Sequence, residues 1–251
     1  MDITELQRNQ ITTRHPWEKT RAKIIKKLIL NERHCSHILD TGSGDSFVLN
    51  YLCLFKLANH YTAIDTAYTD EIIRQIRKNI SCNINFFSEL PNKLTPKADT
   101  VLLLDVLEHC LSESDLLQQL SSDNLTDSPL FFITVPAFQQ LFSGHDKLLG
   151  HHRRYTLKSL NVLCNKNRLD VISSGYFFIS LLAIRSIQLF LEKLGIRTPS
   201  KSIDNWTGNH VTTKLISSIL WVDFLIGRVF LNIGIRLPGL SAYCICRPSP
   251  S

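Results

Sequence analysis

The stretch that decides the fold is HILDTGSGDS, His37 to Ser46. HILD is a short apolar run that ends in an acid, and TGSGD is a glycine turn with helical periodicity beyond it. Glycines let the backbone turn sharply and let a ligand approach the main chain without meeting a Cβ. The helix N-terminus beyond the turn offers unpaired N–H groups. A second apolar run, YTAID, also ends in an acid, and that acid, Asp65, lies 21 residues after Gly44. A carboxylate at the end of the second strand is where the ribose hydroxyls of a nucleoside ligand are met. The plain alternative is a glycine turn with a surface acid, and the placing of Asp40 before the turn and Asp65 after it argues against that.

The same alternation continues outward. Apolar spacing predicts helices over about Trp17–Leu30, 46–58, 70–79, 111–120 and from Thr156 as cap to about Cys164. Strands are expected at His37–Asp40, Tyr61–Asp65, Asn83–Ser88, Asp99–Asp105, Pro129–Pro136, Leu169–Phe177 and Ser241–Pro248. Strands alternating with helices build βαβ units, so the fold class is α/β, a doubly wound and mostly parallel sheet. We expect one domain over 1–251, an N-terminal helical segment over 1–34 and a helical insertion over 176–238. The insertion holds two apolar stretches, 177–195 and 214–234, joined by the polar, basic IRTPSKSIDNWTGNH. Arg185, Glu192, Lys193, Asp223 and Arg228 interrupt them, and a charge near a helix centre costs about 2.5–3.5 kcal/mol on insertion scales, which argues against a spanning pair. They read either as a cap over a pocket or as a monotopic hairpin on a membrane.

The chain has 251 residues, 44% hydrophobic and 20% charged, with a formal net charge of +6 and a pI near 9.0. A basic excess favours anionic partners. Seven scattered cysteines with no CxxC argue against zinc and for a reducing compartment. With no apolar signal core in MDITELQRNQ, the reading is cytoplasmic, or peripheral at the inner membrane face. Nothing here sets the oligomeric state.

Two nucleoside classes use the strand–acid–glycine layout. A dinucleotide site wants G-x-G-x-x-G, but Gly42-Ser43-Gly44-Asp45-Ser46 is followed by Phe47, which counts against NAD. A carboxylate at Asp40 would repel a pyrophosphate and suits a cationic amino-acid head such as that of S-adenosylmethionine. ILDTGSGDS, YTAID and ADTVLLLDVLEHC, together, resemble the class I S-adenosylmethionine-dependent methyltransferases from about residue 17 to 170. VPAFQQLFSGHDKLLGHHRRYTLKSL is similar to a bacterial subgroup with VPA, an aromatic-Ser pair, Asp, GH and RRYT at that spacing, and HPWEKTRAKII and LPGLSAYCICRPS fit the same pattern.

The resemblance implies a seven-stranded sheet whose last strand is antiparallel, with S-adenosyl-L-methionine as cofactor. It implies that Asp40, Gly42, Ser43 and Gly44 surround the methionine part and that Asp65 takes the ribose. Ser88, in the turn with Glu89, would border the adenine, and Asp105, Val106 and Leu107 the sulfonium side. Where the family often has a third glycine this chain has Ser46, which predicts a slightly tighter loop.

Methyl transfer is an in-line displacement whose leaving group departs neutral. Alignment supplies up to about 7–11 kcal/mol, and a hydroxyl acceptor gains about 10²–10⁴-fold from a base. GHDKLLGHHRRYT, Gly144 to Thr156, follows the fifth strand at the sheet edge where open α/β sheets bind ligands. His145 and His151 are candidate bases, and Asp146 would orient one or act itself. Arg153 and Arg154 offer forks for an anionic acceptor, Tyr155 stacking or donation, and His109, on the fourth-strand loop, is another candidate base and a further contact to the acceptor. A metal set of His145, Asp146 and His151 is conceivable by residue type, but the reading assigns no metal. The expectation is O-methylation of a small anionic or lipid-linked acceptor. Its alternatives are a cofactor-binding module that serves a partner enzyme and, further off, an NAD-dependent dehydrogenase. No (D/N)PPY-like motif follows the fourth strand and the basic residues form no aromatic-laced stripe, so a nucleic-acid partner is not expected.

Overall fold

The structure is a computed structural model that describes residues 14–120, 123–194, 206 and 208–250. Most of the 196–210 linker, and with it its basic residues Arg197 and Lys201, lies outside them. Helix α1 (Pro16–Glu32) opens the described chain. Pro16 sits in its first turn, His15 Nδ1 accepts from Trp17 N and Glu18 accepts from His15 N, so the orphan donors of the helix start are met. Its apolar stripe Ile24, Ile25, Leu28 and Ile29 is buried on the sheet, worth roughly 1.5–3 kcal/mol per side chain.

Then follow β1 (His37–Thr41), α2 (Phe47–Leu54), β2 (His60–Ile64), α3 (Asp70–Arg77), β3 (Asn85–Phe87), β4 (Ala98–Leu104), α4 (Glu113–Leu120) and β5 (Leu125–Pro136). A short helix α5 (Gly144–Leu148), α6 (Leu157–Lys166), β6 (Leu169–Phe177), α7 (Ile179–Lys193), α8 (His210–Asn232) and β7 (Ser241–Pro248) complete the order. The seven strands form one sheet in the order β3-β2-β1-β4-β5-β7-β6. β1 to β5 pair in parallel, and β7 inserts antiparallel between β5 and β6. The expected sheet and its reversed last strand are therefore present.

Both faces are covered, as the unbroken apolar run of β4 requires. Leu102 and Leu104 face the layer holding α1, α2 and α8, while Val101 and Leu103 face that of α4 and α6. Three boundaries differ from expectation. α2 stops at Leu54 because Lys56 turns left-handed (φ 52°) and Leu57 N donates back to Leu52 O, a helix-ending pattern that reads poorly in sequence without glycine. β5 begins at Leu125 because its ladder with β4 breaks register between Ala98 and Thr100, and that break accommodates Pro129. The histidine-rich stretch also contains a helical turn, α5, where a loop was expected.

Candidate functional site

The carboxyl ends of β1, β2, β4 and β5 lie along one edge of the sheet, where a cleft opens at the ends of β1 and β4. At β1, Gly42 takes φ +71°, and a Cβ there would lie 2.5 Å from Val106 Cγ2. Only glycine lets the turn pass this close to the β4 loop. Gly42 N and Ser43 N donate to Ile64 O, and Gly44 N donates to Asp65 Oδ2 at 2.9 Å. Asp65 thus ties the glycine turn to the end of β2, its other oxygen accepting from Ala67 N at 3.0 Å. Ser46 occupies the left-handed region (φ 56°) that a glycine would favour. Its hydroxyl holds Ser43 Oγ at 3.0 Å and Tyr68 OH at 2.8 Å, and Tyr68 donates on to Gly44 O. The serine keeps the turn closed, as its size predicts.

Asp40 is 3% exposed. One oxygen accepts from Ser43 Oγ at 2.7 Å and the other has no partner in the chain. Burial pushes its carboxyl up to about 7 against the opposing pull of Ser43 and Arg21. The cleft beside it is lined by Glu18 and Arg21 of α1, Asp40, Gly42, Ser43 and Leu104. Arg21 pairs across the cleft with Asp105, whose other oxygen accepts from Thr134 Oγ1 at 2.9 Å. Asp105 stands at φ 58°, so the chain leaves β4 through a left-handed aspartate, a residue type that tolerates that region. Ser88 is exposed just past β3 and Val106 abuts the glycine turn. Leu107 differs from expectation: its side chain is fully buried in the core of the α4–α6 layer, so only its backbone can face the cleft.

The loop after β5 is pinned at its base, where Tyr155 N donates to Pro136 O and Phe138 N to Tyr155 O. Inside it Asp146 is fully buried. Burial alone would raise its carboxyl, but hydrogen bonds from His151 and Arg154 outweigh that and hold it well below the usual range. Arg154 clamps both oxygens, Nε to Oδ1 at 2.7 Å and Nη2 to Oδ2 at 3.1 Å, with Nη1 donating to Ala137 O. Arg153 Nη1 donates to Glu113 at 2.7 Å and Nη2 to Leu111 O. Tyr155 is buried; its OH donates to Glu113 at 2.9 Å and lies 3.1 Å from Leu107 O, and burial pushes its pKa up. Arg153, Arg154 and Tyr155 thus hold the loop and the β4 turn together. The sequence reading of them as groups offered to an acceptor is corrected by these internal partners, as is Asp146 acting as a base in its own right.

A second set of side chains gathers beside Asp146. His151 Nδ1 meets Asp146 Oδ1 at 3.1 Å. The rings of His151 and His109 meet edge to face at 4.7 Å. Glu108, fully buried, completes the group, with ligand-type atoms of Glu108, His109 and His151 all within 4.8 Å of one another. Apart from its own N–H, neither Glu108 oxygen meets a hydrogen-bond partner, and burial, then Asp105, push its carboxyl well above the usual range. His145, half-exposed on α5, is outside this group. Glu108 escaped the sequence reading because a glutamate in a loop looks solvated; the single turn of 3₁₀ helix at Leu107–His109 points it inward.

No protein-family model and no curated protein matches the chain. Solved structures do. The plantazolicin methyltransferase BpumL, in complex with a triazolic desmethylPZN analog and SAH, is 15% identical with TM-score 0.56, covering 99% of this chain and 90% of that one. A complex of the Haloferax volcanii Trm112 methyltransferase activator with a methyltransferase matches at 13% identity and TM-score 0.55, covering 92% and 94%. The Burkholderia thailandensis 1,6-didemethyltoxoflavin-N1-methyltransferase, with bound 1,6-didemethyltoxoflavin and S-adenosylhomocysteine, matches at 14% and 0.51, covering 92% and 77%. The likeness is one of fold: the chain has the Rossmann-like architecture these methyltransferases share.

Proposed function

We propose that the protein transfers a methyl group from S-adenosylmethionine to a hydroxyl acceptor. The observation that carries this is Asp40, a buried carboxylate with one unpartnered oxygen, which lines the cleft beside a glycine turn. A buried carboxylate in want of a cation suits the ammonium of the methionine moiety, and Asp65 at the neighbouring strand end suits the ribose. Neighbours of this fold crystallised with S-adenosylhomocysteine support the same cofactor. Ser88 would border the adenine, and the backbone of Asp105 to Leu107 the sulfonium. In the neutral His151 ring the proton sits on Nδ1, facing Asp146, which leaves Nε2 able to take the acceptor's proton.

The acceptor we propose is lipid-linked and reached from a membrane surface. Asp223 accepts from Ser180 N and Oγ, and Arg228 donates to Tyr243 OH at 3.1 Å, so the charges of α8 turn inward. Leu220 and Phe224 join the core on the same side. The outer stripe Val211, Leu215, Ile219, Val222 and Val229 is more than half exposed at every position, as is the C-cap Ile233. Within the 23-residue α8 an 18-residue window reaches a mean hydropathy of 1.6, long and apolar enough to cross a membrane by length and composition. Its inner face packs on α1, where Ser217 Oγ donates to Pro16 O and Lys23 lies 3.8 Å over the Trp221 ring. A helix with one protein face and one apolar face suits lying in the lipid interface, and the net charge of +6 suits anionic headgroups.

Calorimetry with S-adenosylhomocysteine tests the core of the reading. One molecule should bind per chain, and Asp40→Asn should weaken it roughly ten- to hundredfold, the range for a charged hydrogen bond. No heat with folded parent protein would end the proposal.

A further inference from the structure

We propose that Glu108, His109 and His151 bind a borderline divalent cation of the Zn²⁺ type, which takes the acceptor's hydroxyl oxygen as a further ligand. The role in catalysis rests on the methyl-transfer reading; the ion site itself does not. Three observations converge. The ligand-type atoms of the three side chains lie within 4.8 Å of one another, close enough for one ion to draw in. Glu108 is a fully buried carboxylate with no partner beyond its own N–H, an arrangement that is costly unless a cation completes it. His151 is held through Nδ1 by Asp146 at 3.1 Å, the carboxylate–imidazole arrangement that orients a metal-binding histidine and leaves Nε2 for the ion.

The surrounding charges allow it. Arg154 is neutralised by Asp146 and Arg21 by Asp105, so the nearby guanidinium groups already have counter-ions. Two nitrogens and one carboxylate suit zinc, cobalt or iron(II) better than magnesium, which prefers oxygen. Three protein ligands leave coordination positions open, the pattern of catalytic rather than structural sites. There the ion would polarise the acceptor's O–H, whose proton leaves to water. The oxygen then attacks the methyl carbon; the S–CH₃ bond breaks as the O–CH₃ bond forms, and the sulfur departs neutral. His151 Nε2 is then an ion ligand and not a base, so the two roles exclude each other.

The test is a Co²⁺ titration of the chelator-stripped full chain, followed by visible absorption, with S-adenosylhomocysteine calorimetry alongside. We expect one equivalent of Co²⁺, with the visible bands of a low-coordinate N/O site, displaced by Zn²⁺. His109→Ala, at an exposed position, and Glu108→Gln should each weaken the ion at least about tenfold, while their S-adenosylhomocysteine heats match the parent. Failure to bind Co²⁺ with S-adenosylhomocysteine binding intact overturns the proposal and returns His151 to the role of base. A thiolate-to-metal charge-transfer band also overturns it, since the other group of three metal-type ligands among the described residues is Cys164, Cys244 and Cys246. If Co²⁺ binds and responds to both variants but S-adenosylhomocysteine does not bind, the ion site stands and the methyl-transfer role is overturned.

Discussion

Asp40 sets a pH dependence that belongs to a single side chain. Its folded pKa, about 7, lies above the usual 3.8. The folded state therefore holds a proton the unfolded chain has released, and the stability this gives is full below pH 4 and is lost as pH rises to 7. The loss amounts to about 4 kcal/mol and is complete above pH 7. Glu108 acts in the same direction, so the informative quantity is a difference. Urea unfolding at pH 5 and pH 8 should show Asp40→Asn gaining stability over the parent at pH 8 and not at pH 5. S-adenosylhomocysteine binding should tighten as pH rises through 7 in the parent and stay flat in the variant, because only the ionised carboxylate holds an ammonium. Gly42→Ala is a second case. A side chain at φ +71° costs about 1–2 kcal/mol, and its methyl would push Val106 away from the turn. Calorimetry should show weaker cofactor binding that Val106→Ala partly restores.

Among the elements, the loop after β5 separates two arginines that look alike in sequence. The side chain of Arg154 is 10% exposed and faces a fully buried Asp146, whereas that of Arg153 is 34% exposed. Removing one partner of a buried pair costs about 3–5 kcal/mol, while an exposed pair is worth about 1 kcal/mol or less. Arg154→Met should therefore lower the urea midpoint severely and Arg153→Met slightly; equal losses would refute the assignment. The same loop marks the limit of what could be read beforehand. The strands themselves follow from apolar runs bounded by acids and prolines, because burial on both sheet faces leaves a pattern local to each strand; the reversed β7 came only with the family resemblance, and the strand order, a matter of which runs pair, has no local signature. The partners of Arg153, Arg154 and Tyr155 have none either, because Glu113 and Leu107 belong to another loop and nothing in residue type tells a fork aimed inward from one aimed at a ligand. Glu108 was hidden for the same reason.

For the molecule as a whole, α7 and α8 leave apolar surface in the open. Ile184, Ile187 and Phe190 of α7, and Leu194 just past its end, are each more than half exposed, like the outer stripe of α8, and exposed apolar surface on this scale marks an interaction site. The protein should float with anionic vesicles in a density gradient and less with zwitterionic ones. Ile219→Glu with Val222→Glu should abolish flotation while changing stability by about 0.5 kcal/mol or less per site, as exposed substitutions do.

The placing of β7 between β5 and β6 bears on how the chain comes off the ribosome. The strand that fills the gap is synthesised after both of its neighbours and after the oily α7–α8 hairpin. Until residues 241–248 emerge, two strand edges and that hairpin stand bare together, the condition that invites aggregation. A version ending at Gly239 should accumulate as insoluble material and give no cooperative melt, however intact its cofactor-facing half.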